Sequence, residues 1–436
     1  MGKLGHTVVP VTVFLSLFLI LFGQTVSCVT SSDDWAVFRH DASQTGFSSS
    51  TAPTSDVVQL WNYTLDTGLM PPPGVPVVVD GRVYDSSDDY GIRCFDASDG
   101  TKVWSFEADS VIDSFPAVVD GHVYVGSDDG HVYCLDVSDG SQIWSAFVGD
   151  SLNSPINFDG GKLYVESTHG TVYCIDATSG DTLWDFSTGA SSFTRSPAVS
   201  EDGYVFATNE DGDVFCLDAS LGMRVWNVSV GDSVGSPVAV DGFVYFGSSD
   251  GNAYCLDAST GAKIWNYTTW YNSAGPSHGY TWGNKVYDPA MAYGYVYVGS
   301  SNFDVFCLDA LTGEKVWNFS TNGIARTPSI AGGYVFAGSY DGNLYCLNAT
   351  SGVELWRRAA GVFSPVSASG SAGSPVIANG VVYVVGNGVL SAWGSLVSEP
   401  STFPLVETAV AVLAITAVVI ILYIYSKQRN RKKRLQ

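Results

Sequence analysis

The chain has 436 residues, is 46% hydrophobic and 14% charged, and carries 43 acidic against 20 basic residues, a formal charge of −23. Setting aside Lys3 and the six basic residues between Lys427 and Arg434 leaves 13 basic against 43 acidic, a net of −30. Such a charge repels phosphate backbones and anionic lipid, which excludes nucleic-acid binding; it says little about fold.

In chain order, residues 1–28 come first. Behind Lys3 the sequence runs apolar from Val8 to Phe22, then small and polar to Cys28. That is the pattern of a cleavable secretory signal peptide, with an uncleaved signal anchor as the alternative. Residues 29–57 form an acidic, Ser-rich lead-in.

From 58 to 394 a period of about forty residues decides the architecture. Cys94, Cys134, Cys174, Cys216, Cys255, Cys307 and Cys346 recur at steps of 40, 40, 42, 39, 52 and 39 residues. Each is followed ten residues later by a Trp: Trp104, Trp144, Trp184, Trp226, Trp265, Trp317 and Trp356. Within one period, Pro116 to Phe147, Asp-Gly pairs separate runs of alternating β-branched and aromatic residues, the strongest short-range hairpin signal. Four antiparallel strands in about forty residues make a propeller blade. First-strand prolines stand at Pro76, Pro116, Pro155, Pro197, Pro237, Pro289, Pro328 and Pro375, but only seven fourth strands follow them. The missing one lies in front, in VQLWNYTL from Val58 to Leu65, whose Trp61 matches the repeated Trp residues. The prediction is an all-β, eight-bladed β-propeller closed by its N-terminal strand, with seven blades as the fallback count.

Residues 395–404 read as a stalk. Residues 405–425 read as a transmembrane helix, uncharged from Thr408 to Tyr425, and 426–436 as a basic cytoplasmic tail. The propeller is therefore expected outside the cell as a monomeric, single-pass surface protein. Acceptor triplets for glycosylation occur at Asn62, Asn227, Asn266, Asn318 and Asn348. With the C-terminal anchor they fit an archaeal cell envelope.

Three places exceed the repeat. Two residues before the first-strand prolines stand Gly74, Ser114, Asn153, Arg195, Gly235, Tyr287, Arg326 and Gly373, which should ring the channel mouth. Arg195 and Arg326 there suit an anion or carboxylate ligand; local pairing with an Asp such as Asp113 or Asp288 is the alternative. The long connection between Trp265 and Pro289 carries Trp270, Tyr271, His278, Tyr280 and Trp282, suited to stacking on a glycan or gripping a protein partner. Capping of the blade junction is the competing reading. A second insertion, Arg357 to Gly373, reads as a flexible loop. The six histidines show no metal-ligand spacing, no haem-attachment motif occurs, and the Asp-Gly turns lack the twelve-residue calcium series.

The stretch CFDASDGTKVW, Cys94 to Trp104, and its copies resemble the tryptophan-docking motif of quinoproteins. WAVFRHDASQTG, Trp35 to Gly46, is similar to the segment that precedes the propeller in pyrroloquinoline-quinone (PQQ) repeat proteins. The resemblance covers residues 35–394. It implies that Trp61 and the seven other repeated Trp residues each stack on a glycine peptide of the next blade. It also implies that the cysteines take the small position against the Trp, one per blade, too far apart to bridge. The family's enzymes use PQQ, calcium and a catalytic Asp, and several carry adjacent cysteines, which this chain lacks. Non-catalytic members, such as the propeller lipoprotein of the bacterial outer-membrane assembly machinery, share the repeat. The expectation is therefore a non-catalytic binding or scaffolding protein without a cofactor. The alternative is a quinoprotein dehydrogenase oxidising an alcohol or sugar with PQQ and calcium.

Overall fold

The computed structural model describes residues 34–65, 75–86, 91–112, 114–190, 195–269, 284–360, 373–386 and 388–395. The expected signal peptide, stalk, membrane helix and basic tail lie outside these residues. No helix among the described residues is long and apolar enough to cross a membrane.

The turns explain why the chain folds every ten residues. Asp120 and Gly121 have φ values of 51° and 80°. Two successive positive φ values give the tight turn whose twist matches its flanking strands, and Gly meets that demand without strain. The third turn of each repeat is pinned by a carboxylate. Asp136 Oδ1 accepts the Ser138 amide at 2.8 Å, and Asp96, Asp176, Asp218, Asp257 and Asp309 do the same in their repeats. Asn348 takes that place in the seventh, accepting from Thr350. Much of the acidic excess is thus turn chemistry.

Among the described residues the strands form eight sheets. Blade 2 is typical: Ala117–Val119 innermost, then His122–Gly126, His131–Asp136 and Gln142–Phe147, all antiparallel. The inner strands of the others are Val77–Val79 (blade 1), Asn157–Asp159 (3), Ala198–Val199 (4), Val238–Val240 (5), Ala290–Ala292 (6), Ser329–Ala331 (7) and Val376–Ala378 (8). Blade 8 continues through Val381–Gly386 and Val389–Ser395 and is completed by Val57–Thr64. The ring closes as the repeat count requires: eight blades, sealed by the N-terminal strand.

The core lies between blades. Val77, Tyr84, Cys94 and Trp104 of blade 1 pack on Val118, Val123, Tyr133 and Leu135 of blade 2. Seven joints have the same mechanical part; the eighth departs from the expected pattern, because no described glycine lies under Trp356. The Trp104 ring lies on Gly140, where an added Cβ would come within 2.5 Å of it. Trp61 meets Gly100, Trp144 Gly180, Trp184 Gly222, Trp226 Gly261, Trp265 Gly313 and Trp317 Gly352 in the same way. The indole N–H of Trp104 donates to Val137 O at 3.0 Å. At the seam Trp356 donates instead to Pro53 O, at 3.0 Å.

The seven described cysteines are free and fully buried, each opposite its Trp on the neighbouring strand, as in Cys174 and Trp184. Burial pushes their thiols up to about 11 or 12. In the unfolded chain they ionise near their ordinary value, so above about pH 9 the unfolded state loses protons that the folded state keeps. This stability is fully present below pH 9. It drains as pH rises toward 11–12, by about 1.4 kcal/mol per pH unit for each thiol. Two results are expected: a melting temperature that falls steeply above pH 9, and no alkylation of these seven sites at pH 8 in peptide maps of the native chain. A linked pair or a reactive native thiol among them would contradict the arrangement.

Candidate functional site

The centre of the ring is crossed by the lead-in. Trp35 exchanges two backbone hydrogen bonds with Val78 of blade 1, at 2.6 and 3.0 Å. Ala36 O then accepts Val118 N of blade 2, and Ala42 O accepts both Asn157 Nδ2 of blade 3 and Val199 N of blade 4. Ser43, Thr45 and Gly46 carbonyls accept Ala239 N, Met291 N and Ile330 N of blades 5, 6 and 7. Phe47–Ser48 then pairs in parallel with the inner strand of blade 7, and Ser50 Oγ accepts Gly380 N of blade 8. One short segment therefore touches every blade in order. Left-handed φ values at Arg39, His40 and Gln44 bend it round the ring.

The mouth positions are structurally equivalent. Gly235, Tyr287, Arg326 and Gly373 each donate their backbone N–H to the end of the second strand, at Gly247, Gly299, Gly338 and Val385. Ser114 makes the same connection through its hydroxyl, which accepts Gly126 N at 2.6 Å and donates to Gly126 O at 3.0 Å. Asn153 is half-buried, with no partner for its Oδ1 among the described residues.

Arg195, only 6% exposed, is held by its own wall. Its Nε donates to Val234 O and its Nη2 to Ser233 Oγ at 2.6 Å, while Nη1 lies 3.7 Å from Glu210. Burial lowers its pKa, opposed first by the carboxylate of Glu166. Arg326 lies against two rings, 4.6 Å from the Tyr340 centroid and 5.5 Å from that of Tyr287, and its Nη2 donates to Tyr340 Oη at 2.5 Å. Lys285 sits 5.2 Å from the Tyr287 ring centroid. Burial lowers the lysine's pKa, and Asp288 opposes that shift. Asp288 Oδ1 itself accepts Ser236 N at 3.0 Å. The structure therefore brings Arg195, Tyr287 and Arg326 into one electrostatic neighbourhood, with Lys285, Asp288, Glu210 and Glu166. Trp270, Tyr271, His278, Tyr280 and Trp282 lie outside the described residues, as do Gly74 and Asp113.

Sequence reasoning missed Lys285, Tyr340 and Glu166. Glu166 had a signal: it ends the second strand of blade 3, where the other blades place Ser86, Gly126, Thr208, Gly247, Gly299, Gly338 and Gly386. Of the acceptor asparagines, Asn62, Asn227, Asn266 and Asn318 are exposed on outermost strands, whereas the Asn348 carbonyl is engaged in its turn.

The donor set speaks to the family's cofactors. Calcium takes six to eight oxygens converging on one point. Here Glu210 and Glu166 face Arg195, and Asp288 is committed to the Ser236 amide and to neighbouring cations. Among the described residues no group of three or more His, Cys, Asp or Glu side chains converges as a metal site. These carboxylates are arranged against neighbouring cations instead of converging on one point, which does not suit a divalent ion.

A family model described as outer membrane protein assembly factor BamB matches residues 51–154, 91–192, 168–276 and 301–394. A second, described as glucose/ethanol/alcohol dehydrogenase, beta-propeller domain, matches 229–325. No curated protein sequence matches the chain. Among solved structures, BamB from Moraxella catarrhalis is similar at 23% identity, covering 78% of this chain and 97% of that one with a TM-score of 0.60. Quinohemoprotein alcohol dehydrogenase ADHIIG from Pseudomonas putida HK5 is similar at 16% identity, covering 86% and 82% with a TM-score of 0.66. The computationally designed Ika8 protein is similar at 16% identity, covering 77% and 99% with a TM-score of 0.64. These likenesses show the fold alone, so function has to be argued from side chains.

Proposed function

The chain belongs to the PQQ-repeat β-propeller family, and on that premise we propose that it is a non-catalytic binding protein, anchored at the cell surface, whose channel-mouth face engages a protein partner or glycan. The observation that carries this reading is the stack of Tyr287, Arg326 and Tyr340 beside Lys285. Tyr and Arg held rigid against one another are the residue types that dominate binding hot spots, because they offer large contact area with little freedom left to lose. The family match to an outer membrane protein assembly factor supports a role in the envelope. The exposed acceptor asparagines on the outermost strands suit a glycosylated rim that leaves this face clear.

The test is direct. Labelled full-length chain in detergent is applied to glycan and peptide arrays, and any ligand bound is re-tested with Tyr340→Ala and Arg326→Ala. Each substitution should weaken binding at least tenfold, whereas Val103→Ser on the outer rim should leave it unchanged. Binding that survives both mouth substitutions would move the function elsewhere. The quinoprotein alternative makes the opposite prediction: added PQQ and calcium should then yield dye-linked oxidation of alcohols or sugars. Our reading expects none.

A further inference from the structure

The outer rim repeats as strictly as the core, and blade 2 departs from it. Every blade ends in a fourth strand that pairs with a described strand on one side only, so eight sheet edges face outward. Such edges are templates for another chain's strand unless charge, proline or bulk keeps strands away. In blades 4, 5, 6 and 8 the residue after the repeated Trp is an acceptor asparagine, and the third residue after it is the Ser or Thr that completes the triplet. Blades 1, 3 and 7 carry a charge at one of those two positions, at Glu107, Asp185 and Arg357. Blade 2 has Ser145 and Phe147 there. Its fourth strand, Gln142–Phe147, is the one among the eight with neither a charged residue nor an acceptor asparagine.

Side chains and backbone are both open along this strand. Ile143 is 49% exposed and Phe147 67%, and Ser145 between them is exposed too. Phe147 lies against His131, with ring centroids 5.0 Å apart. Where Phe147 stands, blades 5 and 6 have Thr268 and Ser320, whose hydroxyls donate to Asn252 and Asp304. Blade 2 replaces that polar closure with a solvent-facing aromatic pair. Val148 N donates inward to Gly130 O at 2.9 Å. By the alternation of an antiparallel ladder, Ser145 and Phe147 therefore direct their N–H and C=O groups away from the sheet.

We propose that this strand pairs with the same strand of a second copy of the chain, antiparallel and related by a two-fold axis through Ser145. In that register Ser145 exchanges both backbone hydrogen bonds with its own counterpart. Phe147 of each copy stands opposite Ile143 of the other, an aromatic–β-branched pair on either side of the axis. The occupant follows from charge. Each chain carries −23, so two copies that meet elsewhere bring acid against acid. A basic partner has the rest of the acidic surface to bind; an equally acidic second copy has this uncharged, self-complementary strand. The surface protein is then a dimer and not the monomer expected from its sequence. The pairing goes beyond the binding at the channel mouth and does not depend on it: Tyr340→Ala and Arg326→Ala should leave the dimer intact.

The experiment is sedimentation of the full-length chain in detergent over a range of micromolar concentrations. The wild type should sediment as a reversible dimer. Phe147→Ser and Ile143→Lys should each weaken association about tenfold or more. Both should keep the melting temperature, since the side chains they replace are exposed. The matching change on blade 1, Val103→Lys, should leave the dimer intact. Register is read separately. Under mild oxidant Ser145→Cys should form a disulfide between copies, mapped to that position, because the Cα atoms of a hydrogen-bonded pair stand about 5.5 Å apart, within bridging range. The seven described thiols are buried and do not compete. A wild type that stays monomeric at tens of micromolar overturns the proposal, even if this strand captures a different protein. So does a dimer that Phe147→Ser and Ile143→Lys both leave unchanged, or one that Ser145→Cys fails to cross-link.

Discussion

A chain lacking residues 29–66 should aggregate or lose its cooperative melting transition. Three separate supports go at once. Blade 8 loses Val57–Thr64, which uncovers Val389–Ser395 as a raw sheet edge, and an exposed edge recruits strands from other chains. Trp61 leaves Gly100, so the joint between blades 8 and 1 loses its ring. The inner strands also lose the lead-in hydrogen bonds to Val78, Val118, Asn157, Val199, Ala239, Met291, Ile330 and Gly380. At about 1 kcal/mol net per bond, their sum approaches the 5–15 kcal/mol by which a typical domain is stable. Calorimetry and size-exclusion chromatography of the truncated chain give the answer. Adding residues 29–66 back as a peptide should restore the transition in part. A truncated chain that melts with the intact one would mean that the ring does not depend on its N-terminal closure.

The second large effect is expected at a single joint. Trp184→Ala should cost about 3–5 kcal/mol, the range for removing a large buried aromatic ring. The Trp184 ring covers Gly222, its N–H donates to Ala219 O at 3.1 Å, and Tyr164 lies 6.1 Å from it centroid to centroid. The glycine and both strands stay in place when the ring goes, so a cavity remains. Two neighbours calibrate the measurement. Cys174→Ala, opposite the ring, should cost about 1 kcal/mol or less, because little volume changes. Leu183→Ala, which points outward, should fall within about 0.5 kcal/mol. Urea denaturation of the three variants ranks them. Equal costs at Trp184 and Leu183 would show that the joint is not what holds the blades together.

What repeats was legible in advance, and what occurs once was not. The Cys-to-Trp spacing and the Asp-Gly turns encode strand length, turn type and interface in every blade, and the closing strand followed from one missing Trp. The channel mouth was legible only as positions. The arginines at 195 and 326 were visible, but not their partners, which lie 14 to 39 residues away along the chain: Arg195 is met by Glu210 of its own blade and by Ser233 and Val234 before the next, and Arg326 by Tyr340 of its own blade and by Tyr287 before blade 6. The course of the lead-in was out of reach for a different reason. It binds the blades mostly through backbone carbonyls, which no side-chain pattern marks, and it bends at Arg39, His40 and Gln44, where non-glycine residues give no warning of a positive φ. The resemblance over Trp35 to Gly46 identified the segment without revealing that it circles the ring.

That segment also dictates a sequence of events in time. Its contacts reach from Val78 to Gly380, so the residues made first must wait for those made last. Neighbouring blades assemble from contacts close along the chain, which form early, whereas joining the two ends bears the full entropy of a loop of more than 300 residues. The lead-in therefore docks last, onto inner strands already in register. The same reasoning makes it the first part to let go, and until it settles the inner strands of the eight blades have no common tie.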